Sequence, residues 1–381
     1  MIKRFFFVVD KNYGTSHSFV DGLIKKYILP LNKKNRIYYA KRNKGKIINH
    51  DASDSAIIES NYSRNGIERI FFSVSSIFYF IKNFNKNDNN EVFIRNEVLA
   101  LFFFSSIKFF CPNLYSLSFQ NSFPHETFKG RKIKSIFAKL LINISLKKVD
   151  KIYVVSNLAA DRIKRYPLNA NTQIFIIPLC TDFPLIKEKS YSNKNLIKFV
   201  YIGTFYKLRR LDLLIQAFYS LKQQTGYRKW RLDFFGGDLS DFIDNYPETS
   251  GIINELILLN LVKFHGFVKR EDLHSTIDDF DVGINLIPPT KMYLESSSTK
   301  LGEYLARGLP VLSNLEIPFH KYVYSKGDIG WLCNFSIESI QTEILKILKT
   351  DDNQYSLKSE TGLKIVREHL NYKNHLHSFF D

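Results

Sequence analysis

An uninterrupted apolar run near the N-terminus constrains the fold of this chain more than any other segment. Residues 5–9 are all apolar, and a loop that contains Gly14 follows them. A strand with apolar side chains on both faces has to be covered on both faces, as in a parallel sheet between two helical layers. The run therefore predicts an α/β domain whose first strand is buried.

Strand candidates separated by helical patterns recur through both halves of the chain. They lie at 36–40, 69–72, 92–95, 114–119, 151–155 and 174–177, and again at 198–203, 231–235, 262–265 and 282–287. This alternation predicts two parallel-sheet domains, and the polar stretch 187–195 between them predicts a linker. We expect a first domain over 1–185, a second over 186–365, and a C-terminal helix over 366–381 that packs back toward the first.

The net charge is concentrated in the first half of the chain. The chain has 54 Lys and Arg against 37 Asp and Glu, a formal charge of +17. Residues 1–190 hold 31 cationic and 14 acidic side chains, whereas residues 191–381 hold 23 of each. A basic half favours an anionic partner, such as an acidic acceptor or an anionic membrane face. No recognition-helix or aromatic RNA-platform pattern is present, so we expect no nucleic-acid partner.

Cysteine use and hydropathy bear on the compartment. The 3 cysteines are far apart and form no CxxC pair, which argues against a disulfide framework or a thiolate zinc site. The apolar run at the N-terminus is too short for a signal peptide. The most apolar stretches, 71–81 and 99–110, are shorter than the roughly 18–20 residues that a spanning helix needs. We therefore expect a cytoplasmic protein.

The most informative segment for chemistry is a short predicted helix in the second half. Ser298 or Thr299 is suited to begin this helix. Leu301, Tyr304 and Leu305 then form an apolar stripe with helical spacing. A Gly-x-Pro sequence ends it, as is typical of the passage from a helix to the next strand.

The start of this helix predicts an anion site. It follows a buried strand, so its free N–H groups and positive dipole end lie at the carboxyl edge of the sheet. Lys300 adds a cation to the same end, and Glu303 lies one turn further along, off the apolar stripe. With Glu295 before the helix, the two carboxylates are placed to hold hydroxyl groups on either side of a diphosphate.

These residues resemble a known family. Glu295 and Glu303, eight apart and followed by Tyr-Leu-Ala-x-Gly-x-Pro-Val, look like the signature of the retaining GT-B glycosyltransferases of family 4. Segments 200–204, 210–218 and 262–268 are similar to the family's first strand, first helix and a later strand. The resemblance implies a GT-B fold, in which two Rossmann-like parallel-sheet domains face each other across a cleft.

The resemblance also implies roles for individual residues of the second half. Glu303 would bind the ribose of a nucleotide sugar, and Glu295 would contact the hydroxyls of its hexose. Arg209 lies at the position of the family's phosphate-binding lysine, while Thr299 and Lys300 would face the diphosphate. The implied donor is a UDP- or GDP-sugar, with no separate cofactor.

Further positions follow from the same resemblance. Gly203 and Thr204 correspond to the family's phosphate loop, although the family usually has an arginine where this chain has Thr204. Gly14 would mark the loop of the first domain that approaches the phosphates. The family often has a histidine near the attacked carbon, and here either Gln120 or His125 is placed to take that position.

Two other patterns have simpler interpretations. Asp279 and Asp281 form an Asp-x-Asp sequence, but they lie between a predicted helix and a buried strand. We therefore interpret them as residues that separate the helix from the strand, and we expect no metal site. In the basic stretch 126–151, the apolar residues follow helical spacing and are predicted to be core. The predicted exposed basic patch consists of Lys129, Arg131, Lys132 and Lys134.

The sequence therefore predicts a retaining, metal-independent glycosyltransferase. It would move a hexose from the nucleotide sugar to a glycan or lipid-linked acceptor in surface polysaccharide synthesis (capsule, O-antigen or lipopolysaccharide), in the cytoplasm or at the inner face of the membrane. The alternative is a catalytically impaired protein of the same fold that binds an anionic glycan or partner.

Overall fold

The computed structural model describes residues 2–9, 19–41, 57–61, 66–121, 132–191, 195–222 and 229–379. The chain divides into two units, one formed by Met1–Pro178 with His375–Asp381 and the other by Leu179–Asn374. Each unit contains one sheet in which every described strand pair is parallel. The prediction of two parallel-sheet domains is confirmed.

The apolar run at the N-terminus forms an interior strand of the first unit, with a neighbouring strand on each side. Among the described residues the sheet has seven strands in the order β3-β2-β1-β4-β5-β6-β7. The strands are β1 (Lys3–Val9), β2 (Arg36–Lys41), β3 (Ile57–Asn61), β4 (Asn90–Arg95), β5 (Ser116–Asn121), β6 (Lys151–Val154) and β7 (Gln173–Ile176). The helices are a π-helical segment (Phe19–Ile28), α1 (Gly66–Asn83), α2 (Val98–Phe110), α3 (Lys132–Ser145) and α4 (Asn157–Lys164), with 3₁₀ turns at Leu29–Leu31 and Leu146–Lys148.

The predicted strand at 69–72 is wrong, because these residues lie inside α1. This helix is 18 residues long, and its buried positions Phe72, Ser76 and Phe80 are four apart. A short run of aromatic and β-branched residues does not by itself separate a strand from a buried helix segment. The length of the apolar segment and its four-residue burial period favour the helix.

The prediction that the apolar residues of α3 are core is largely wrong. Leu141 and Ile142 are buried against the sheet. Ile136, Phe137, Leu140 and Ile144 are instead exposed, each by about half or more. The apolar residues of this helix are spread over several of its sides, and only one side packs on the sheet. The predicted basic patch of Lys129, Arg131, Lys132 and Lys134 falls on side chains outside the described residues.

Residues near the C-terminus complete the first unit. The ring of Phe379 stacks on Tyr153, with centroids 4.8 Å apart, and the Tyr153 hydroxyl donates to the Ser378 carbonyl at 3.1 Å. Buried Arg4 donates through Nε to Glu91 Oε2 at 2.8 Å and through Nη2 to the Phe379 carbonyl. Buried charges are tolerated when they are paired and hydrogen-bonded in this way.

The second unit has a sheet of six described strands in the order β10-β9-β8-β11-β12-β13. They are β8 (Leu196–Ile202), β9 (Lys229–Phe235), β10 (Val262–Phe264), β11 (Val282–Asn285), β12 (Val311–Asn314) and β13 (Gly330–Cys333). The helices are α5 (Leu211–Tyr219), α6 (Leu239–Asn245), α7 (Ser250–Leu258), α8 (Arg270–Thr276), α9 (Lys291–Leu294), α10 (Thr299–Ala306), α11 (Pro318–Tyr324), α12 (Ile337–Lys349) and α13 (Asp352–His369), with 3₁₀ segments at Lys207–Arg209, Pro247–Thr249, Ile277–Asp279 and Tyr372–Phe379, the last ending in the first unit.

None of the described helices is long and apolar enough to cross a bilayer.

Candidate functional site

Four of the residues predicted to bind a donor lie at or beside the start of α10, at the carboxyl edge of the second sheet: Gly203, Thr299, Lys300 and Glu303. The predicted stripe Leu301, Tyr304 and Leu305 is fully buried. The Tyr304 hydroxyl accepts a hydrogen bond from the N–H of Ile202, the last residue of β8, at 2.9 Å. The Tyr304 ring lies against Gly283, where an added Cβ would come within 2.4 Å of it. The glycine in β11 therefore allows α10 to pack directly on the sheet.

The N-cap residue of α10 does not cap the first turn of this helix with its side chain. Ser298 occupies the N-cap position, as predicted, but its side chain makes no capping hydrogen bond. Its hydroxyl instead donates to Asn285 Oδ1 at the end of β11, at 2.7 Å. No described side chain caps the N–H groups of this first turn, which the helix cannot satisfy internally, and such groups bind anions.

A buried network holds the uncapped turn in place. Asn285 Nδ2 lies 2.9 Å from His320 Nε2, and His320 Nδ1 lies 2.9 Å from the Asn314 carbonyl. Both contacts are satisfied when His320 is neutral and carries its proton on Nδ1. Burial lowers the pKa of His320 to about 4, although the Asn314 carbonyl opposes that shift. Neutral His320 thus links the ends of β11 and β12 to the start of α10.

The lowered pKa of His320 predicts that the free energy of unfolding depends on pH. Because the pKa of His320 is depressed in the folded chain, the unfolded chain binds the proton more readily between pH 6.5 and about 4. Stability contributed by neutral His320 is therefore present above pH 6.5 and is lost as the pH falls. We expect a loss of about 2 kcal/mol between pH 7 and pH 5 from this group.

The measurement is denaturant unfolding at several pH values, followed by tryptophan fluorescence. Both tryptophans, Trp230 and Trp331, lie in the second unit, so the signal reports the unit that contains His320. A His320→Gln variant should lose most of the slope between pH 7 and pH 5, whereas a variant of the exposed His377 should keep it. An unchanged slope in His320→Gln would contradict this role.

The Lys300 side chain reaches from α10 to the backbone at Gly203, directly after β8. Its Nζ is 4.4 Å from the centroid of the Tyr201 ring and donates to the Tyr201 hydroxyl at 3.4 Å. Gly203 adopts φ +143, and an added Cβ there would come within 2.4 Å of Lys300 Nζ. The positive φ directly after β8 favours glycine at this position, and the absence of a side chain leaves room for the Lys300 ammonium beside the backbone.

Arg209 is the second cation at this site. Its guanidinium lies 5.1 Å from the centroid of the Tyr293 ring, whereas neighbouring Arg210 pairs with Asp212 at 2.9 Å. In the described part of the chain neither Arg209 nor Lys300 forms an ion pair with an acidic side chain. Burial and the nearby charge of Arg209 lower the pKa of Lys300 well below its usual range, against the opposing effect of Glu303.

Glu303 is held by a residue that the sequence interpretation did not identify. Arg270, the first residue of α8, donates through Nη1 to Glu303 Oε1 at 2.8 Å and through Nη2 to Asp182 Oδ1. Its guanidinium also lies 4.9 Å from the ring centroid of Phe183. Within the described ranges Glu303 Oε2 accepts no hydrogen bond from protein, so this oxygen is free to accept one from a hydroxyl group.

The remaining predicted site residues are distributed as follows. Glu295 ends α9 and is half-buried in the loop before α10, and Thr299 is the first residue of α10. Thr204 is exposed directly after Gly203. Gly14 and His125 lie outside the described residues.

Gln120 lies at the carboxyl end of β5 in the first unit, with 1% of its side chain exposed. Its Oε1 accepts a hydrogen bond from Arg95 Nη1 at 2.8 Å, and its Nε2 has no partner among the described residues. An unsatisfied buried donor is costly, and such groups are found where a ligand completes the hydrogen bonding.

The two aspartates of the Asp-x-Asp sequence lie in the passage from a 3₁₀ turn to β11. Asp281 is fully buried, and its Oδ2 accepts a hydrogen bond from the Lys198 N–H at the start of β8, at 2.9 Å. Asp279 ends a 3₁₀ turn. Across the described residues no cluster of three or more His, Cys, Asp or Glu side chains is placed to hold a metal ion. Metal independence remains a prediction.

The second half of the chain matches a known protein family. Residues 182–361 match the family model for glycosyl transferases group 1. No curated protein sequence matches the chain.

Similar solved structures cover almost the whole chain. Sucrose-phosphate synthase from Thermosynechococcus elongatus has a TM-score of 0.71 at 14% identity, over 99% of this chain and 98% of its own. HepE from Anabaena in complex with UDP and glucose has a TM-score of 0.70 at 13% identity, over 99% of both chains. The lipopolysaccharide outer core galactosyltransferase WaaB has a TM-score of 0.67 at 13% identity, over 100% of this chain and 99% of its own. At these identities the likeness shows the fold, which is GT-B.

Proposed function

We propose, from the group 1 match over 182–361 and the GT-B fold, that this protein is a glycosyltransferase that uses a nucleotide-diphosphate sugar. One observation carries the proposal: the cations Arg209 and Lys300, unpaired with any described acidic side chain, lie near the uncapped start of α10. Two like charges held close together favour binding of an anion that neutralises both. A diphosphate has the charge and the acceptor oxygens that this arrangement lacks.

The other residues of the site then have distinct tasks. The free oxygen of Glu303 would accept from the ribose hydroxyls, and Glu295 would contact the transferred hexose. Thr299 and the first turn of α10 would bind phosphate oxygens, with Gly203 and Thr204 beneath them. HepE was solved with UDP, so a UDP-sugar is the first donor to test.

The proposed reaction retains the configuration at the anomeric carbon. The bond between that carbon and the diphosphate breaks, and the acceptor oxygen bonds to the carbon on the same face. The acceptor hydroxyl proton passes to the departing diphosphate, so no protein base is required. Lys300, Arg209 and the helix N-terminus stabilise the charge that develops on the leaving group, which is the largest contribution that such a site makes. No metal ion is needed in this scheme.

The acceptor is proposed to meet the first unit. That unit contains the basic half of the chain, and the unsatisfied amide of Gln120 lies at the carboxyl edge of its sheet. Either Gln120 or His125 would lie at the attacked carbon. A glycan or lipid-linked precursor of a surface polysaccharide suits these features, and the protein would work in the cytoplasm at the inner membrane face.

A thermal-shift screen against UDP, GDP and their hexose conjugates tests the donor. A ligand at about 100 times its Kd stabilises the folded state by about 2.7 kcal/mol, so one nucleotide series should raise the melting temperature by several degrees. Release of nucleotide in the presence of acceptor then tests catalysis. Stabilisation without any release would favour the alternative, a binding protein of the same fold, and no stabilisation by any nucleotide would refute the proposed site.

A further inference from the structure

The outer faces of α1, α2 and α3 in the first unit expose large apolar side chains. Phe71 and Phe78 on α1 are each 69% exposed, and Phe110 on α2 is 80% exposed. The exposed apolar residues are Ile70, Phe71, Phe78 and Ile81 on α1, Phe109 and Phe110 on α2, and Ile136, Phe137, Leu140 and Ile144 on α3. These residues are called the apolar face below. Contiguous exposed apolar surface of this kind marks a binding surface.

The apolar face is continuous, because α2 packs against both α1 and α3. The inner sides of these helices carry a separate set of apolar residues that form the core on the sheet, including Phe72, Phe80, Leu101 and Phe104. The core is therefore complete without the apolar face. No described residue buries the outer side chains.

The charged residues of α2 and α3 are all cationic, whereas α1 also contains Glu68. Lys82, Lys139 and Lys147 are exposed on or beside the apolar face. Lys148 lies with its ammonium 4.8 Å from the ring centroid of Phe109. Neither α2 nor α3 contains an aspartate or a glutamate. Such a mixture of exposed aromatic side chains and lysines matches the boundary between the headgroups and acyl chains of an anionic bilayer.

We propose that the apolar face inserts into the surface of an anionic lipid bilayer. The aromatic and aliphatic side chains would enter the acyl boundary, while the lysines would remain among the anionic headgroups. A second copy of the chain is a poorer occupant, because a symmetric contact would bring two surfaces of the same positive charge together. The inference extends the proposed location at a membrane and does not depend on the proposed sugar transfer.

Sedimentation with lipid vesicles tests this inference on the full chain. Vesicles of phosphatidylcholine with a third of phosphatidylglycerol should bind the protein, and phosphatidylcholine vesicles should bind it much more weakly. The double variant Phe110→Ser/Phe137→Ser should reduce partitioning by about tenfold or more, because binding scales with the apolar area inserted. The matched control, Leu258→Ser/Leu357→Ser, changes two residues of the second unit that are 82% and 63% exposed and should bind like the wild type.

Substitution of the lysines tests the electrostatic part. Lys139→Glu/Lys147→Glu should weaken binding to anionic vesicles, whereas Lys263→Glu/Lys364→Glu, exposed lysines of the second unit, should change it little. Absence of vesicle binding, or equal loss in the apolar variant and its control, overturns the inference. So does a wild-type dimer that only the Phe variant dissociates. A normal thermal shift with nucleotide in the Phe variant shows that the donor site is intact, which separates this inference from the proposed function.

Discussion

A Glu303→Ala enzyme should retain less than about one hundredth of the wild-type kcat/KM with a nucleotide sugar. Glu303 is buried, and Arg270 fixes one of its oxygens while the other accepts no hydrogen bond from a described residue. A hydrogen bond to a charged group contributes about 1.5–3 kcal/mol, so loss of the two expected ribose hydroxyl contacts corresponds to about 100-fold or more. Steady-state kinetics and nucleotide titration measure this effect.

The position of Arg270 makes the control informative. In Glu303→Ala, Arg270 keeps Asp182 as its partner, so the second unit should lose stability yet remain folded. Glu303→Gln keeps one oxygen for the hydroxyls and should fall between alanine and the wild type. Glu271→Ala removes a neighbouring carboxylate of α8 that is 74% exposed and should leave kinetics unchanged. Wild-type nucleotide affinity and turnover in Glu303→Ala would refute the assignment.

Substitution of Lys300 by methionine should reduce kcat by about 100- to 1000-fold, the usual effect of removing one group that stabilises developing negative charge. The same change removes the repulsion between Lys300 and Arg209 in the free protein. We therefore expect Lys300→Met to melt at an unchanged or higher temperature without ligand, while its stabilisation by nucleotide disappears. A gain in stability with a loss of function is typical of charges arranged for a ligand.

We also expect Lys300 to take up a proton when the donor binds. Its pKa is lowered in the free protein, and a bound diphosphate would raise it. In the pH range between the two pKa values, the complex holds more protons than the free protein, so affinity rises as the pH falls. Calorimetric titration in two buffers of different ionisation enthalpy measures the uptake. Lys300→Met should show none, whereas Lys291→Ala, at an exposed lysine nearby, should match the wild type; uptake that persists in Lys300→Met would exclude this residue as its source.

Much of the second unit could be predicted from local sequence patterns. The stripe of α10, the glycine after it and the strand that follows are all set by residues within a few positions of each other. Gly308 has φ +66, as the end of a helix requires, and Val311 begins β12 three residues later. Local spacing was sufficient here because helix and strand periods depend on near neighbours.

Arg270 could not be predicted in the same way. It meets Glu303 across 33 positions and Asp182 across 88, and no period in the sequence connects them. One signal was available: a cation at the first position of a helix opposes the helix dipole, and acidic residues are favoured there. Arg270 is followed by Glu271 and Asp272, which shows that the position departs from the local preference.

The apolar residues of α3 show a second limit. Helical periodicity predicts which residues share a face, but it does not say which face meets the protein. In α3 apolar residues lie on two sides, and Leu141 and Ile142 rather than Phe137 and Leu140 face the sheet. An exposed apolar face shows the same helical spacing as a buried one, so spacing alone assigned these residues to the interior.

The contacts of Phe379 have a consequence for the order in which the protein is built. The first unit needs residue 379, yet the whole second unit is synthesised between Pro178 and His375. During translation Arg4 and Glu91 can pair once residues up to Pro178 have been synthesised. The Phe379 carbonyl, to which Arg4 also donates, follows only about 200 residues later. The nascent first unit therefore gains its last contacts only after the second unit has been synthesised.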